Sequence, residues 1–185
     1  MDAIEALRGR VSVSRLQAPG PDRDQVEQLL QAAMRAPDHG SLRPWRFLVL
    51  EGEQLRRLGE IFARAVQQDQ PGVDEPTLER IRDKPPRAPM VIVAVAEVEP
   101  ASRIPVEEQV LATGAAVQNM MVAAHALGLG AMWRTGNMAF HPEVRKGLGF
   151  AEKDRIVAFV YLGTPVGEIE PPAAESPALY VRRIP

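Results

Sequence analysis

The stretch Met90-Val91-Ile92-Val93-Ala94-Val95-Ala96 carries the strongest strand signal in this chain of 185 residues. It is apolar throughout, and its β-branched valine and isoleucine residues favour extended backbone. The breaker cluster Pro85-Pro86-Arg87-Ala88-Pro89 separates it from the residues before it. We therefore predict a buried strand over residues 90–96.

Further elements are predicted on both sides of this stretch. Short apolar runs indicate strands over residues 46–50, 131–133 and 156–162. Apolar residues at helical spacing and capping signals indicate helices over residues 3–7, 23–36, 55–66, 106–127 and 142–148. Strands separated by helices predict an α+β or three-layer fold, with parallel and antiparallel pairing left open. The length suits one domain spanning residues 1–185.

Two stretches are predicted to lack regular structure. Residues 67–76 are polar and contain proline and glycine, so we interpret them as a surface loop. The tail after Gly163 holds too many prolines for a helix or a strand: Pro165, Pro171, Pro172, Pro177 and Pro185. The tail also contains apolar Leu179, Tyr180 and Val181, so we expect it to pack on another surface.

The composition narrows the possible functions. The chain has 22 Lys and Arg residues and 24 Asp and Glu residues, which gives a net charge of -2. This charge provides no electrostatic attraction for nucleic acid or an anionic membrane. We expect neither partner. There is no cysteine, which excludes thiolate metal sites, iron–sulfur clusters and cysteine nucleophiles, so redox chemistry would need a bound cofactor. An acidic start and the absence of a long apolar run predict a cytoplasmic protein.

The common nucleotide-binding and hydrolase motifs are missing from the sequence. A dinucleotide-binding domain needs G-x-G-x-x-G directly after a strand, whereas Gly128-Leu129-Gly130 matches only its first half and follows a predicted helix. We interpret it as a helix end that turns into a strand. The three histidines, His39, His125 and His141, are too scattered to predict a metal site.

Three polar segments are candidates for a binding site. Residues 10–15 (RVSVSR) offer guanidinium groups, hydroxyls and extended backbone amides, which bind phosphate or polyols. Residues 35–45 (RAPDHGSLRPW) form a loop between a helix and a strand, and residues 133–136 (WRTG) end a strand. Each also has an ordinary structural interpretation: solvated arginines, a turn with Trp45 in the core, and a hairpin-like turn with a buried Trp133.

Taken together and in this order, these segments resemble the short, bacterial, NAD(P)H-dependent FMN nitroreductase subfamily. The resemblance runs from MDAIEALRGRVSVSR through MRAPDHGSLRPWRFLVLEG and GLGAMWRTG to VAFVYLGTP, which covers residues 1–166 approximately. It implies an α+β, nitroreductase-like fold in which helices flank a central mixed sheet. It also implies an intertwined homodimer with FMN in each interface.

The resemblance assigns the FMN phosphate and ribityl chain to the first segment. Arg10 and Ser12 would hold them, with Val11 contributing its backbone. Four positions differ from the subfamily. Val11 replaces a second arginine, and Ser14 stands where longer relatives have lysine. In the loop segment, Arg43 and Arg46 enclose Pro44-Trp45 where the family often has Q-P-W-H, and these two added cations could shift substrate choice. From the second segment, Arg35 and His39 would reach the flavin of the partner subunit.

The isoalloxazine ring and the nicotinamide nucleotide are assigned to the second half of the chain. By resemblance, Trp133, Arg134 and Thr135 would line the ring, with the amide of Thr135 or Gly136 near N5. The resemblance also associates the end of the long helix with the nucleotide, at Ala123, Ala124, His125, Ala126, Leu127 and Gly128.

The implied activity is a redox reaction in which the flavin carries the chemistry, so no side-chain catalyst is assigned. NADH or NADPH would transfer hydride to FMN and leave, and a small-molecule electron acceptor, a nitroaromatic or quinone, would then occupy the same cleft. His39 is the nearby titratable group. Two alternatives stay open: a non-catalytic flavin-binding or regulatory dimer, and an enzyme of the same fold that performs dehalogenation or flavin fragmentation.

Overall fold

A five-stranded sheet lies at the centre of the fold, in a computed structural model that describes residues 1–171 and 173–184. Its strands are β1 (Leu16–Gln17), β2 (Trp45–Glu51), β3 (Met90–Ala96), β4 (Gly130–Arg134) and β5 (Arg155–Pro165). β5 lies between β3 and β4, since its residue Val160 pairs with Ile92 of β3 and with Trp133 of β4. β2 pairs with β3, and the short β1 pairs with the end of β5.

The direction of strand pairing corrects one detail of the prediction. Every pair between described strands is antiparallel, so the predicted mixed sheet is wrong for the single chain. Pairing direction depends on how the connections cross the sheet, and the strand sequences do not encode it.

β3 confirms the predicted strand with the same bounds, and both of its faces are buried. Met90, Ile92 and Ala94 belong to one core cluster. The valines at 91, 93 and 95 belong to a second cluster on the other face. Since successive side chains of a strand point to opposite faces, an uninterrupted apolar run needs helices on both sides of the sheet.

Among the described residues, six α-helices supply these two layers: α1 (Ala3–Gly9), α2 (Arg23–Ala33), α3 (Glu53–Asp69), α4 (Glu75–Arg82), α5 (Val106–Ala126) and α6 (Pro142–Gly147). α2 and α5 cover the face of Ile92, where Leu29 and Met120 are fully buried. α3 and α6 cover the other face with Phe62 and Val144. The three-layer α+β class is therefore confirmed.

The predicted surface loop over residues 67–76 is wrong at both ends. α3 continues to Asp69, and α4 begins at Glu75 with Asp74 as its N-cap. Pro76 lies in the first turn of α4, where the missing N–H costs no helical hydrogen bond. α4 packs closely on α3, because a Cβ at Gly59 would lie 2.3 Å from the carbonyl oxygen of Arg82.

The irregular tail begins later than predicted, because β5 continues to Pro165, which pairs with Leu16 of β1. Beyond Pro165, the described residues form no regular structure apart from a short turn of 3-10 helix over Pro177–Leu179. Pro172 and Pro185 lie outside the described residues. Leu179, Tyr180 and Val181 are 76%, 74% and 57% exposed. The expected packing of these residues is thus not found within the single chain.

Among residues 1–171 and 173–184, no helix combines the length and the apolar character needed to cross a bilayer.

Candidate functional site

The first candidate segment, residues 10–15, connects α1 to β1 and hydrogen-bonds to β4. It begins where α1 ends, and the N–H of Arg10 donates to the carbonyl of Ala6 at 3.1 Å. Further along, the N–H of Val13 donates to the carbonyl of Ala131 at 2.9 Å. This bond ties the N-terminal segment to the first half of β4.

Residues 10–15 line a cavity of about 520 Å³ together with the start of the tail. Arg10 is half-buried, whereas Ser12 and Ser14 are exposed. Within the described part of the chain, the backbone N–H groups of Val11, Ser12 and Ser14 have no hydrogen-bond acceptor. These donors suit an anion.

The tail contributes two carboxylates to the same cavity, Glu168 and Glu170. Neither belongs to a candidate segment, so the sequence analysis missed them. Their negative charge opposes that of any anion bound beside Arg10. The strength of anion binding at this place therefore depends on where the tail lies.

In the third candidate segment, the side chains of Trp133 and Arg134 point to opposite faces of the sheet. The indole N–H of Trp133 donates to the carbonyl of Val157 at 3.0 Å. Its side chain packs against two core clusters, the one that contains Ile92 and a smaller one that contains Val98. The Arg134 guanidinium lies over the ring of Tyr161, 5.9 Å from its centroid. Consecutive side chains of a strand point to opposite faces, so these two groups cannot contact the same flat ligand from one side.

The end of β4 is exposed, but it does not form a hairpin. Thr135 and Gly136 are exposed, and the chain then enters a turn of 3-10 helix over Asn137–Ala139. Gly136 has a φ of 57°, a backbone conformation that favours glycine. Ala131 and Thr135 are four residues apart, so β4 separates the two candidate segments by about 13 Å.

The second candidate segment lies elsewhere within the chain. Arg35 follows α2 and lines a cavity of about 560 Å³ between α1, α2 and α5. His39 lines a smaller cavity of about 340 Å³ beside the start of α5. Neither cavity includes residues 10–15 or 133–136. A single chain therefore does not bring all three segments together.

His39 has a partner that the sequence analysis did not identify. Its Nδ1 atom lies 2.6 Å from a carboxylate oxygen of Glu108, in the first turn of α5. The loop is held in place on both sides: the N–H of Arg43 donates to Asp38 at 2.7 Å, and Gly40 packs against Ile104. The only sequence signal for Glu108 is an acid near a helix N-terminus, which is common in helices.

The segment associated with the nicotinamide nucleotide forms the end of α5. Ala124 is fully buried, and Gly128 ends the helix with a φ of 75° as predicted for a helix end that turns into a strand. His125 packs against Gly9. Methyl groups dominate this surface, and the assignment of residues 123–128 to the nucleotide stays a prediction.

The comparison with known families decides the identity of this fold. The model of the nitroreductase family matches residues 7–164. The chain belongs to the nitroreductase family. The resemblance found in the N-terminal, loop and β4 segments is thereby confirmed at the level of the family.

Individual members agree with this assignment. "Putative NAD(P)H nitroreductase YdjA" of Escherichia coli (strain K12) is 42% identical over 165 residues, which cover 89% of each chain. A nitroreductase-like family protein from Bacillus cereus has a TM-score of 0.86 at 23% identity, covering 100% of this chain and 96% of that one. A nitroreductase with bound FMN from Bacteroides fragilis has a TM-score of 0.74 at 20% identity, covering 99% and 100%. The two solved structures confirm the nitroreductase-like fold.

Proposed function

We propose that this chain is an FMN-dependent oxidoreductase, active as a homodimer, which uses NADH or NADPH to reduce nitroaromatic or quinone-like acceptors by ping-pong hydride transfer. One observation carries the proposal. The Val13–Ala131 hydrogen bond attaches the anion-binding segment 10–15 to β4, the strand that ends in segment 133–136. The names of YdjA and of the FMN-bound Bacteroides protein support the same cofactor pair in this family.

The donor chemistry of residues 10–15 fits the phosphate and ribityl chain of FMN. Arg10 supplies a charged donor, and the hydroxyls of Ser12 and Ser14 match a polyol. The free N–H groups of Val11 and Ser12 add neutral donors. Arg15 lines the same cavity and supplies the second cation.

The end of β4 fits the isoalloxazine ring. Among the described residues, the N–H groups of Thr135 and Gly136 have no acceptor, so they are available to N5 and its neighbouring carbonyl. The indole N–H of Trp133 is already used by Val157. In the proposal Trp133 therefore contributes its ring and backbone only.

When bound, FMN supplies hydride acceptance and donation. The protein would orient the ring, exclude water from it and supply the local electrostatics. His39 is the nearby titratable group, and its Nδ1 atom contacts Glu108.

The homodimer follows from the positions of Arg35 and His39. Within one chain they line cavities separate from segments 10–15 and 133–136, so they would join the site from a second copy. The exposed apolar side chains of the tail support this arrangement. We also propose that residues 1–185 form one domain, because both helical layers share one sheet.

The test is the absorbance of the purified protein. We expect a flavin spectrum that NADH or NADPH bleaches without oxygen and that a nitroaromatic then restores. Colourless protein that does not take up FMN would contradict the proposal. Bound FMN without bleaching would instead indicate a non-catalytic dimer, and product analysis under oxygen would identify dehalogenation or flavin fragmentation.

A further inference from the structure

Positively charged side chains line a cavity next to the end of β4. It has a volume of about 490 Å³ and lies between α3, α4 and the sheet. Lys84, Arg87 and Arg134 line it, and none of its described lining residues is a carboxylate. We call it the basic cavity. Of these three cations, Arg134 alone belongs to a candidate segment. The described lining comes from four parts of the chain, within residues 62–70, 77–87, 134–138 and 159–161.

The nearby acids are bound to a different cation. Arg82 contacts three carboxylates, with its Nε 3.1 Å from Glu60 and its Nη1 2.5 Å from Glu75 and 2.7 Å from Glu79. In the part of the chain that the structure describes, Lys84 and Arg87 have no carboxylate within 4.0 Å. The positive charge of the basic cavity is therefore not neutralised internally.

Tyr161 adds a neutral donor to these cations. Only 6% of the residue is exposed, and it lines the basic cavity. Among the described residues its hydroxyl has no hydrogen-bond partner, and the oxygen is accessible rather than fully buried. Burial raises the pKa of Tyr161, against the lowering effect of Arg87 and Arg134. The phenol thus stays protonated near neutral pH and can donate to an anion.

Part of the remaining wall is apolar and aromatic, and the polar residues Gln70, Thr77 and Asn137 line the rest. Phe62 and Phe159 pack edge to face, with centroids 5.2 Å apart and ring planes at 84°. Val66 and Ile81 line the same space. A cavity of several hundred Å³ with an apolar wall and a few converging polar groups is typical of a small-molecule site.

We propose that the basic cavity binds an aromatic carboxylate, with the carboxylate between Lys84, Arg87 and the Tyr161 hydroxyl and the ring against Phe62 and Phe159. Thr135 and Gly136 line the same cavity, so this ligand lies beside the segment assigned to the isoalloxazine. One consequence of this inference rests on the proposed function: if the chain reduces nitroaromatics, its preferred acceptor is an anionic one. Binding itself does not depend on that function.

Binding is tested first, with probes that cannot be reduced by the enzyme. Isothermal titration of the protein as purified compares benzoate with its neutral methyl ester. We expect benzoate to bind at least about tenfold more tightly, because the ester lacks the charge that the cations recognise. Equal affinities would overturn the proposal.

Variants locate the binding. Lys84→Met combined with Arg87→Met is expected to weaken benzoate binding about tenfold or more, and Tyr161→Phe about threefold. The control is Arg56→Met, which removes an exposed charge of α3 outside the cavity and should leave benzoate affinity unchanged. If the double variant loses FMN while its affinity for benzoate stays as in the unaltered protein, the cavity belongs to the cofactor and the proposal is wrong.

Two measurements keep the test decisive if the double variant does not fold. Tyr161→Phe keeps the shape of the side chain and removes only the hydroxyl, so unchanged benzoate affinity in it would contradict the proposal. Benzoate affinity of the unaltered protein should also fall as salt rises, because the ion pairs are partly exposed. Salt-independent binding would equally contradict it.

A kinetic comparison separates this inference from the proposed function. The KM for 4-nitrobenzoate should lie below that for its methyl ester by a similar factor. A protein that binds benzoate but reduces neither compound would refute the proposed function and leave the binding site standing. Equal KM values, with reduction of both compounds, would overturn the acceptor assignment.

Discussion

The Nδ1 atom of His39 lies 2.6 Å from a carboxylate oxygen of Glu108, although 69 positions separate the two residues in the sequence. The contact joins the loop after α2 to the first turn of α5. Both side chains are largely exposed, at 64% and 44%. An exposed pair contributes little to stability, so its effect falls on the orientation of the imidazole.

Replacing Glu108 tests this orientation. Glu108→Gln should change the free energy of unfolding by less than about 1 kcal/mol in urea titrations. It should raise the mobility of the His39 ring, measured by NMR relaxation of the histidine side chains, and, in the proposed dimer, weaken FMN binding several-fold. Glu107→Gln, at the neighbouring exposed position, is the matched control. A rigid His39 ring in Glu108→Gln would contradict the assignment.

Arg10→Ala tests the proposed phosphate contact. Loss of a charge-assisted hydrogen bond should weaken FMN binding by about 1.5–3 kcal/mol, measured by flavin fluorescence on dilution. Arg8→Ala removes a nearby charge on α1 that does not line the cavity, and it should bind FMN normally. Equal FMN affinity in both variants would remove Arg10 from the site.

The two acids of the tail should act in the opposite direction. Replacing Glu168 and Glu170 by glutamine removes negative charge from the cavity of Arg10. Because both acids are exposed, we expect FMN binding to strengthen by about 0.5–1 kcal/mol at most. The gain should shrink in high salt, as screening weakens the repulsion. Weaker FMN binding in the double variant would show that the carboxylates do not face the phosphate.

Gly59→Ala tests the contact between α3 and α4. Alanine normally stabilises a helix interior relative to glycine, but here the new Cβ would meet the carbonyl oxygen of Arg82 at 2.3 Å. We expect a loss of about 1–3 kcal/mol in the free energy of unfolding. Gly72→Ala is the control, since a Cβ there meets nothing within 4 Å. A stabilised Gly59→Ala variant would contradict this packing.

Asp74 predicts a pH dependence for the start of α4. Its side chain accepts a hydrogen bond from the N–H of Thr77 at 2.9 Å, and hydrogen bonds from Thr77 lower the pKa of Asp74 below its usual 3.8. The carboxylate therefore stabilises the fold above that pH, and this contribution is lost as pH falls through the lowered pKa. Asp74→Asn keeps an N-cap acceptor without titrating.

Comparing Asp74→Asn with the unaltered protein isolates the contribution of the Asp74 carboxylate to stability. Thermal unfolding between neutral and strongly acidic pH should show a smaller loss of Tm in Asp74→Asn than in the unaltered protein. Identical pH profiles would mean that the cap does not titrate in this range.

Several features of the fold could be predicted because their causes are local. The apolar run of β3 predicts its strand with the observed bounds, and the capping aspartates Asp2 and Asp22 mark the observed starts of α1 and α2. The sequence analysis missed α4 because proline usually interrupts a helix. Pro76 is tolerated here because it lies in the first turn, where a missing N–H costs no helical hydrogen bond. The binding roles of segments 10–15 and 133–136 stay predictions, which the sequence could suggest because the donor groups of each segment lie within a few residues of one another.

The sequence by itself determined most strands and helices, since propensity, capping and periodicity act over a few residues, but it did not reveal α4 or the short β1. It also determined the family, through four short segments whose order is unusual. Only the tertiary structure decided the antiparallel pairing, the Val13–Ala131 bond, the partner of His39 and the gathering of Lys84, Arg87 and Arg134 around Tyr161. Those contacts depend on how helices and sheet pack, which joins residues whose separation along the chain carries no local signal.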